Sequence, residues 1–226
     1  MMVLNILRES FSSLFCYMRS LNKALIGPLI LALAAELLTL TLSMNEPFSL
    51  FFYYSAHWFA EFISLVSYTL LAIIVIQTVL QDNVNGFGFG LFWRKRETRF
   101  LLHQLGLIAL LIPVSFLGFI PGIGSWLVML MAGYLFSRFA LVFPGIALNQ
   151  GITFRVAWKL SQRYQLSVFT LAALLPGIGM VITDLLLIDL YSLPLKFILD
   201  FVLSVFFIIA MALLYRNIVL RAASQN

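Results

Sequence analysis

From Leu101 to Phe143 the chain runs for about 20 apolar residues, passes through Pro121-Gly122-Ile123-Gly124, and runs on for about 20 more. Stretches of that length constrain the fold more than anything else in the sequence. A helix needs about 20 residues to cross about 30 Å of hydrocarbon, where every backbone N–H and C=O must find its partner inside the protein. Barrel strands would instead show as short alternating segments. The whole chain agrees: 62% of its residues are hydrophobic and 10% charged, whereas about a quarter are charged in soluble domains. The sequence therefore reads as an all-α polytopic membrane protein, a single integral domain over residues 1–226.

Windows of about 19 residues place six spans, near Ala24 to Ser43, Phe59 to Leu80, Leu101 to Ile120, Ser125 to Phe143, Leu166 to Leu187 and Lys196 to Ile218. Thirteen of the 14 Lys and Arg residues fall at one end of these spans, and only Lys196 at the other. The positive-inside rule then predicts that both termini are cytoplasmic. Glu46, Asp184 and Asp189 fall in the outer connections, and the tryptophans divide into Trp58 and Trp126 outside and Trp93 and Trp158 inside, as interfacial belts do. The N-terminal segment spreads its charges and has no small-residue cleavage site, so it is expected to stay in the mature protein.

A basic amphipathic segment precedes each of the three hairpins these spans form. In the first, Leu4, Leu7, Phe11, Leu14 and Met18 recur at spacings of three and four. The second carries Arg94, Lys95, Arg96 and Arg99 in six residues, and the third an i, i+4, i+8 stripe of Arg155, Lys159 and Arg163. Such segments are expected to lie as helices on the inner leaflet, each cation near the surface attracting anionic headgroups by about 1 kcal/mol. Arg94, Lys95, Arg96, Arg155, Lys159 and Arg163 are thus candidate contacts for anionic lipids.

Pro-Gly-Ile-Gly occurs again at Pro176 to Gly179. The first copy lies where the chain must reverse, and proline with glycine supplies the dihedrals of a tight turn. The second lies about ten residues into span five, where Pro176 removes a helical hydrogen bond and Gly177 and Gly179 loosen the helix, so a kink or break is expected there. Glu36, about 12 positions into span one, is the strongest polar candidate, because a carboxylate at that depth must be paired, protonated or hydrated. Arg138 and Arg216 lie close enough to the membrane boundary to snorkel.

Other chemistry finds little support. Gly86 to Gly90, "GFGFG", lacks the strand, the GK[ST] ending and the soluble helix of a phosphate loop. His57 and His103 are expected on opposite faces and Cys16 is the only cysteine, so no metal or other cofactor is expected. The serines have no His or Lys at motif spacing, so no enzyme is expected. The cations sit at helix ends, which membrane topology explains without nucleic acid.

Residues 100–226 carry a family resemblance. Pro121 and Gly122, then Pro144, then Ala157, Lys159 and Ser161, and the ending "LLYRNIVLR" with Tyr215 and Arg216 resemble the YciC-like family of bacterial inner-membrane proteins. More distantly they are similar to the membrane domain joined to some glycerophosphodiester phosphodiesterases. Gln162, Arg163 and Tyr164 stand where the family has a threonine. The resemblance implies a six-helix fold in the bacterial inner membrane and carries over no phosphodiesterase activity. The resulting expectation is a non-enzymatic protein organising membrane or envelope through anionic lipids or a membrane-protein partner. The alternative is a small transporter or permease-like protein using Glu36 and the interruption at Pro176.

Overall fold

The structure is a computed structural model that describes residues 2–44, 50–81, 91, 93–186 and 193–220. Glu46, the Gly86 to Gly90 run, Asp189 and Arg221, together with the side chain of Met18, lie outside the described residues. Among those described there is no strand. The helices are α1 (Met2–Met44), α2 (Leu50–Gln81), α3 (Lys95–Ser115), α4 (Gly124–Phe139), α5 (Val142–Ala147), α6 (Phe154–Arg163), α7 (Gln165–Phe169), α8 (Leu175–Leu186) and α9 (Leu193–Tyr215). Six helical stretches are long and apolar enough to cross a membrane: Lys23–Leu42, Tyr53–Gln81, Lys95–Phe119, Gly124–Ala147, Gln165–Leu186 and Pro194–Val219. The protein is a multi-pass, all-α membrane protein.

The basic segments take two forms. In α1 and α3 they are continuous with the spanning helix: α1 runs unbroken for 43 residues, about 64 Å. No glycine or proline stands between Arg19 and Ile26 to stop it. Ile6, Ser10 and Leu14 are buried, whereas Leu4 and Phe11 are exposed. The face that packs is thus turned away from two members of the expected apolar stripe, because α1 also lies against α9. Only the third basic segment is a separate helix, α6.

Two connections explain how α6 is set in place. At the α3–α4 reversal, Gly122 has φ +79°, and a side chain on Gly124 would meet the Leu117 carbonyl oxygen at 2.6 Å. The first Pro-Gly-Ile-Gly copy is therefore a turn with close backbone approach. At the end of α5, Gln150 N–H donates to the Gly145 carbonyl at 2.8 Å and Asn149 N–H to the Ile146 carbonyl at 2.9 Å. Asn149 has φ 56°, which completes a Schellman ending. A Cβ on Gly145 would meet Ile152 at 2.8 Å, so the chain leaving α5 folds tightly back before α6 begins.

The packed core occupies one half of the bundle. Every residue from Thr69 to Val79 on α2 is buried, as are Ile208, Ile209, Ala210 and Ala212 to Tyr215 on α9 and most of α5. This is the end that carries the basic residues, and we call it the basic end. Polar side chains there bond between helices, as hydrocarbon demands. Thr69 Oγ1 donates to Gln104 Oε1 at 2.6 Å, Gln77 Nε2 to the Ala147 carbonyl at 2.7 Å, and the Tyr215 hydroxyl to Gln150 Oε1. The Arg216 guanidinium pairs with Glu9, joining the end of α9 to the start of α1. Towards the opposite end, α8 exposes most of its side chains and α1 about half.

Span five remains helical through the second Pro-Gly-Ile-Gly copy. A π-turn over Thr170–Leu174 precedes α8, and Pro176 is the second residue of α8. The wider turn accommodates the missing N–H and the ring, and the expected interruption takes this form instead of an unwound segment. Gly179 faces α9, where a Cβ would meet Phe207 at 3.3 Å, and Gly177 has nothing within 4 Å.

Candidate functional site

Two places gather the polar residues. The first is a cleft of about 270 Å³ in the half of the bundle away from the basic end, bounded by α1, α2 and α9. Small residues make the room, with Ala32 and Ala35 on α1, Ala60 and Ser64 on α2, and Ser204 on α9. Three carboxylates line it, one from each helix: Glu36, Glu61 and Asp200. Thr39, Ser67 and Tyr68 add hydroxyls, so the cleft is polar where its surroundings are apolar.

Local structure sets these positions. Pro28 takes one backbone donor out of α1, and beside that gap the buried Ser67 hydroxyl donates to the Pro28 carbonyl at 2.7 Å, fixing the register of α1 on α2. Glu61 lies 3.9 Å from His57 one turn earlier, whose ring stacks on Tyr53. At the rim, Lys196 on α9 reaches Asp184 on α8 at 2.6 Å. Among the described residues, no group of three His, Cys, Asp or Glu side chains gathers as metal ligands would. The carboxylates stand on separate walls, an arrangement suited to a cation of several atoms, such as an organic amine, with hydroxyls as further acceptors.

The second place is the basic end. Here α6 lies against α4 by one face: Ala157 and Ser161 are buried, and Phe154 and Trp158 pack on Phe139 with ring centroids 5.0 and 5.4 Å apart. Arg155, Lys159 and Arg163 are exposed on its other side. Arg138, expected to snorkel, instead turns inward. It is only 9% exposed, with its guanidinium 4.8 Å from the Trp158 ring and 5.2 Å from that of Tyr134. Its Nε and Nη2 donate to the Tyr134 hydroxyl at 3.2 and 3.1 Å.

At the start of α3, Arg94 and Lys95 are exposed, but Arg96 points to Glu97, with 2.6 Å between Nη2 and Oε1. Glu97 is buried and also accepts from the Arg94 N–H at 2.8 Å, capping the helix. Of the second basic run, Arg96 is thus committed to the fold.

Of the residues singled out in the sequence, Glu36 lines the cleft, and Pro176, Gly177 and Gly179 do not. Glu61 and Asp200 are the members that sequence reasoning missed. Their signal was present, since each is a carboxylate within an apolar run, but both lie near a span boundary, where charge is ordinary. No family model, no curated protein and no solved structure matches the chain.

Proposed function

We propose that this is a non-enzymatic protein of the bacterial inner membrane, with its basic end and both termini in the cytoplasm, that organises membrane or envelope through anionic lipids. One observation carries the reading. α6 is held to the bundle by its aromatic face while Arg155, Lys159 and Arg163 project from it. Three such cations add about 3 kcal/mol of attraction to an anionic leaflet. The excess of Lys and Arg at that end and the resemblance to YciC-like proteins support the location and orientation.

The test is lipid selection by the full chain in nanodiscs of mixed phosphatidylglycerol and phosphatidylcholine. Replacing Arg155, Lys159 and Arg163 by Gln should reduce the enrichment of phosphatidylglycerol around the protein by up to about a hundredfold. Mass spectrometry of retained lipids reads this, and unchanged enrichment rejects the proposal.

The cleft favours a second reading, a small transporter or permease-like protein. Three carboxylates within membrane-spanning helices are expensive to hold in hydrocarbon and mark a path or binding place for a cationic solute.

A further inference from the structure

Where α4 meets α6 and the start of α7, two buried polar atoms have no hydrogen-bond partner among the described residues: Nη1 of Arg138 and Oε1 of Gln165. They belong to one neighbourhood. Gln165 Nε2 donates to the hydroxyl of Ser137 at 3.3 Å, the residue next to Arg138, and Ser161 Oγ on α6 donates to the Arg138 carbonyl at 3.1 Å. A buried guanidinium usually has a carboxylate opposite it. At the basic end, among the described residues, Glu9 is taken by Arg216 and Glu97 by Arg96. Among the described residues, Arg138 has only aromatic rings and a phenol, which leave one nitrogen and most of its charge uncompensated.

We propose that the missing partner is a phosphate group, that of an anionic phospholipid, and that α6 is the cover over this subsite. The inference rests on the lipid reading above and deepens it. The Ser137 hydroxyl gives its one proton to the Tyr134 carbonyl at 2.7 Å, so it accepts from Gln165 Nε2 and leaves Gln165 Oε1 as a free acceptor. Arg138 Nη1 is the charged donor for a phosphate oxygen, and Gln165 Oε1 is an acceptor suited to a glycerol hydroxyl of the same headgroup. Access requires α6 to tilt from α4. The helix is ten residues long, joined through residues 151–153 on one side and the single turn at Tyr164 on the other. The outward stripe of Arg155, Lys159 and Arg163 collects anionic headgroups beside the seam that Trp158 closes.

The subsite is tested by calorimetric titration of the detergent-solubilised full chain with inorganic phosphate, dihexanoyl phosphatidylglycerol and dihexanoyl phosphatidylcholine. Saturable binding of phosphatidylglycerol is expected, weakened about tenfold or more in Arg138→Gln, as befits the loss of a charge-assisted contact. Competition by inorganic phosphate assigns recognition to the phosphate group, and binding of phosphatidylglycerol without competition assigns it to the whole headgroup. Binding of inorganic phosphate alone, equal binding of phosphatidylcholine, or no change in Arg138→Gln overturns the proposal.

A second variant guards against misfolding of the first. Trp158→Phe keeps an aromatic ring against Phe139 but weakens the hold on Arg138, so phosphatidylglycerol should bind about 2–5-fold more tightly; equal or weaker binding counts against the cover. The two readings fail separately. If lipid enrichment in nanodiscs depends on α6 while titration is indifferent to Arg138, only the subsite falls. If enrichment is indifferent to the α6 stripe, the lipid reading falls.

Discussion

Glu36 was legible in the sequence because a carboxylate in an unbroken apolar run must be paired, protonated or hydrated. What it faces was not. Its neighbours across the cleft, Glu61 and Asp200, come from helices far apart in the chain, and only the packing of α1, α2 and α9 assembles them. Arg138 shows the opposite failure. Near a helix end the local rule is to snorkel, but Tyr134 one turn back and Trp158 on α6 draw the guanidinium inward, a tertiary effect that no local pattern carries. The prediction at this scale concerns the cleft as a cation site. Uptake of labelled putrescine into liposomes containing the protein should fall about tenfold or more in Glu36→Gln, since a hydrogen bond to a charged group contributes about 1.5–3 kcal/mol. Uptake unaffected by that change removes the residue from any transport role.

At the scale of elements, the same four letters form two structures, and the neighbours decide which. Pro121 to Gly124 follows a full span and must turn, whereas Pro176 to Gly179 falls inside a span whose backbone has to stay bonded, so a π-turn widens the helix ahead of it. A π-turn leaves no residue signature, which is why the sequence suggested a break. The two copies should respond oppositely to one methyl group. Gly124→Ala places a Cβ against the Leu117 and Gly118 carbonyls, overpacking that costs about 1–3 kcal/mol and lowers the thermal midpoint in detergent by roughly 2–10 °C. Gly177→Ala meets open space in a helix and should raise the midpoint slightly, by the helix propensity of up to about 1 kcal/mol. Equal losses at both positions would contradict the assignment of turn and helix. The separateness of α6 was legible, with its basic stripe and the short irregular lead-in after α5. The continuity of α1 was less so, because its charges suggest a boundary that its backbone does not have.

For the whole molecule, six crossings could be read from apolar length alone, since hydrocarbon thickness sets that length. The uneven packing could not. Core and lipid-facing residues are equally apolar, so composition does not distinguish the dense half around α2 from the half that opens into the cleft. That difference is measurable. Ile74→Ala, in the dense half, should destabilise the protein by about 2–5 kcal/mol, while Leu186→Ala at an exposed position should change it by less than about 0.5 kcal/mol. Thermal unfolding in detergent compares the two, and comparable losses would mean that the open half is packed as tightly as the other. The unbroken α1 links these halves. Glu9, tied to Arg216, and Glu36, in the cleft, lie on one rod, about 40 Å apart along its axis. One continuous helix thus strings the ion pair at the membrane surface and the carboxylate of the cleft along a single axis, with Pro28 between them as the place where that axis gives up a backbone bond.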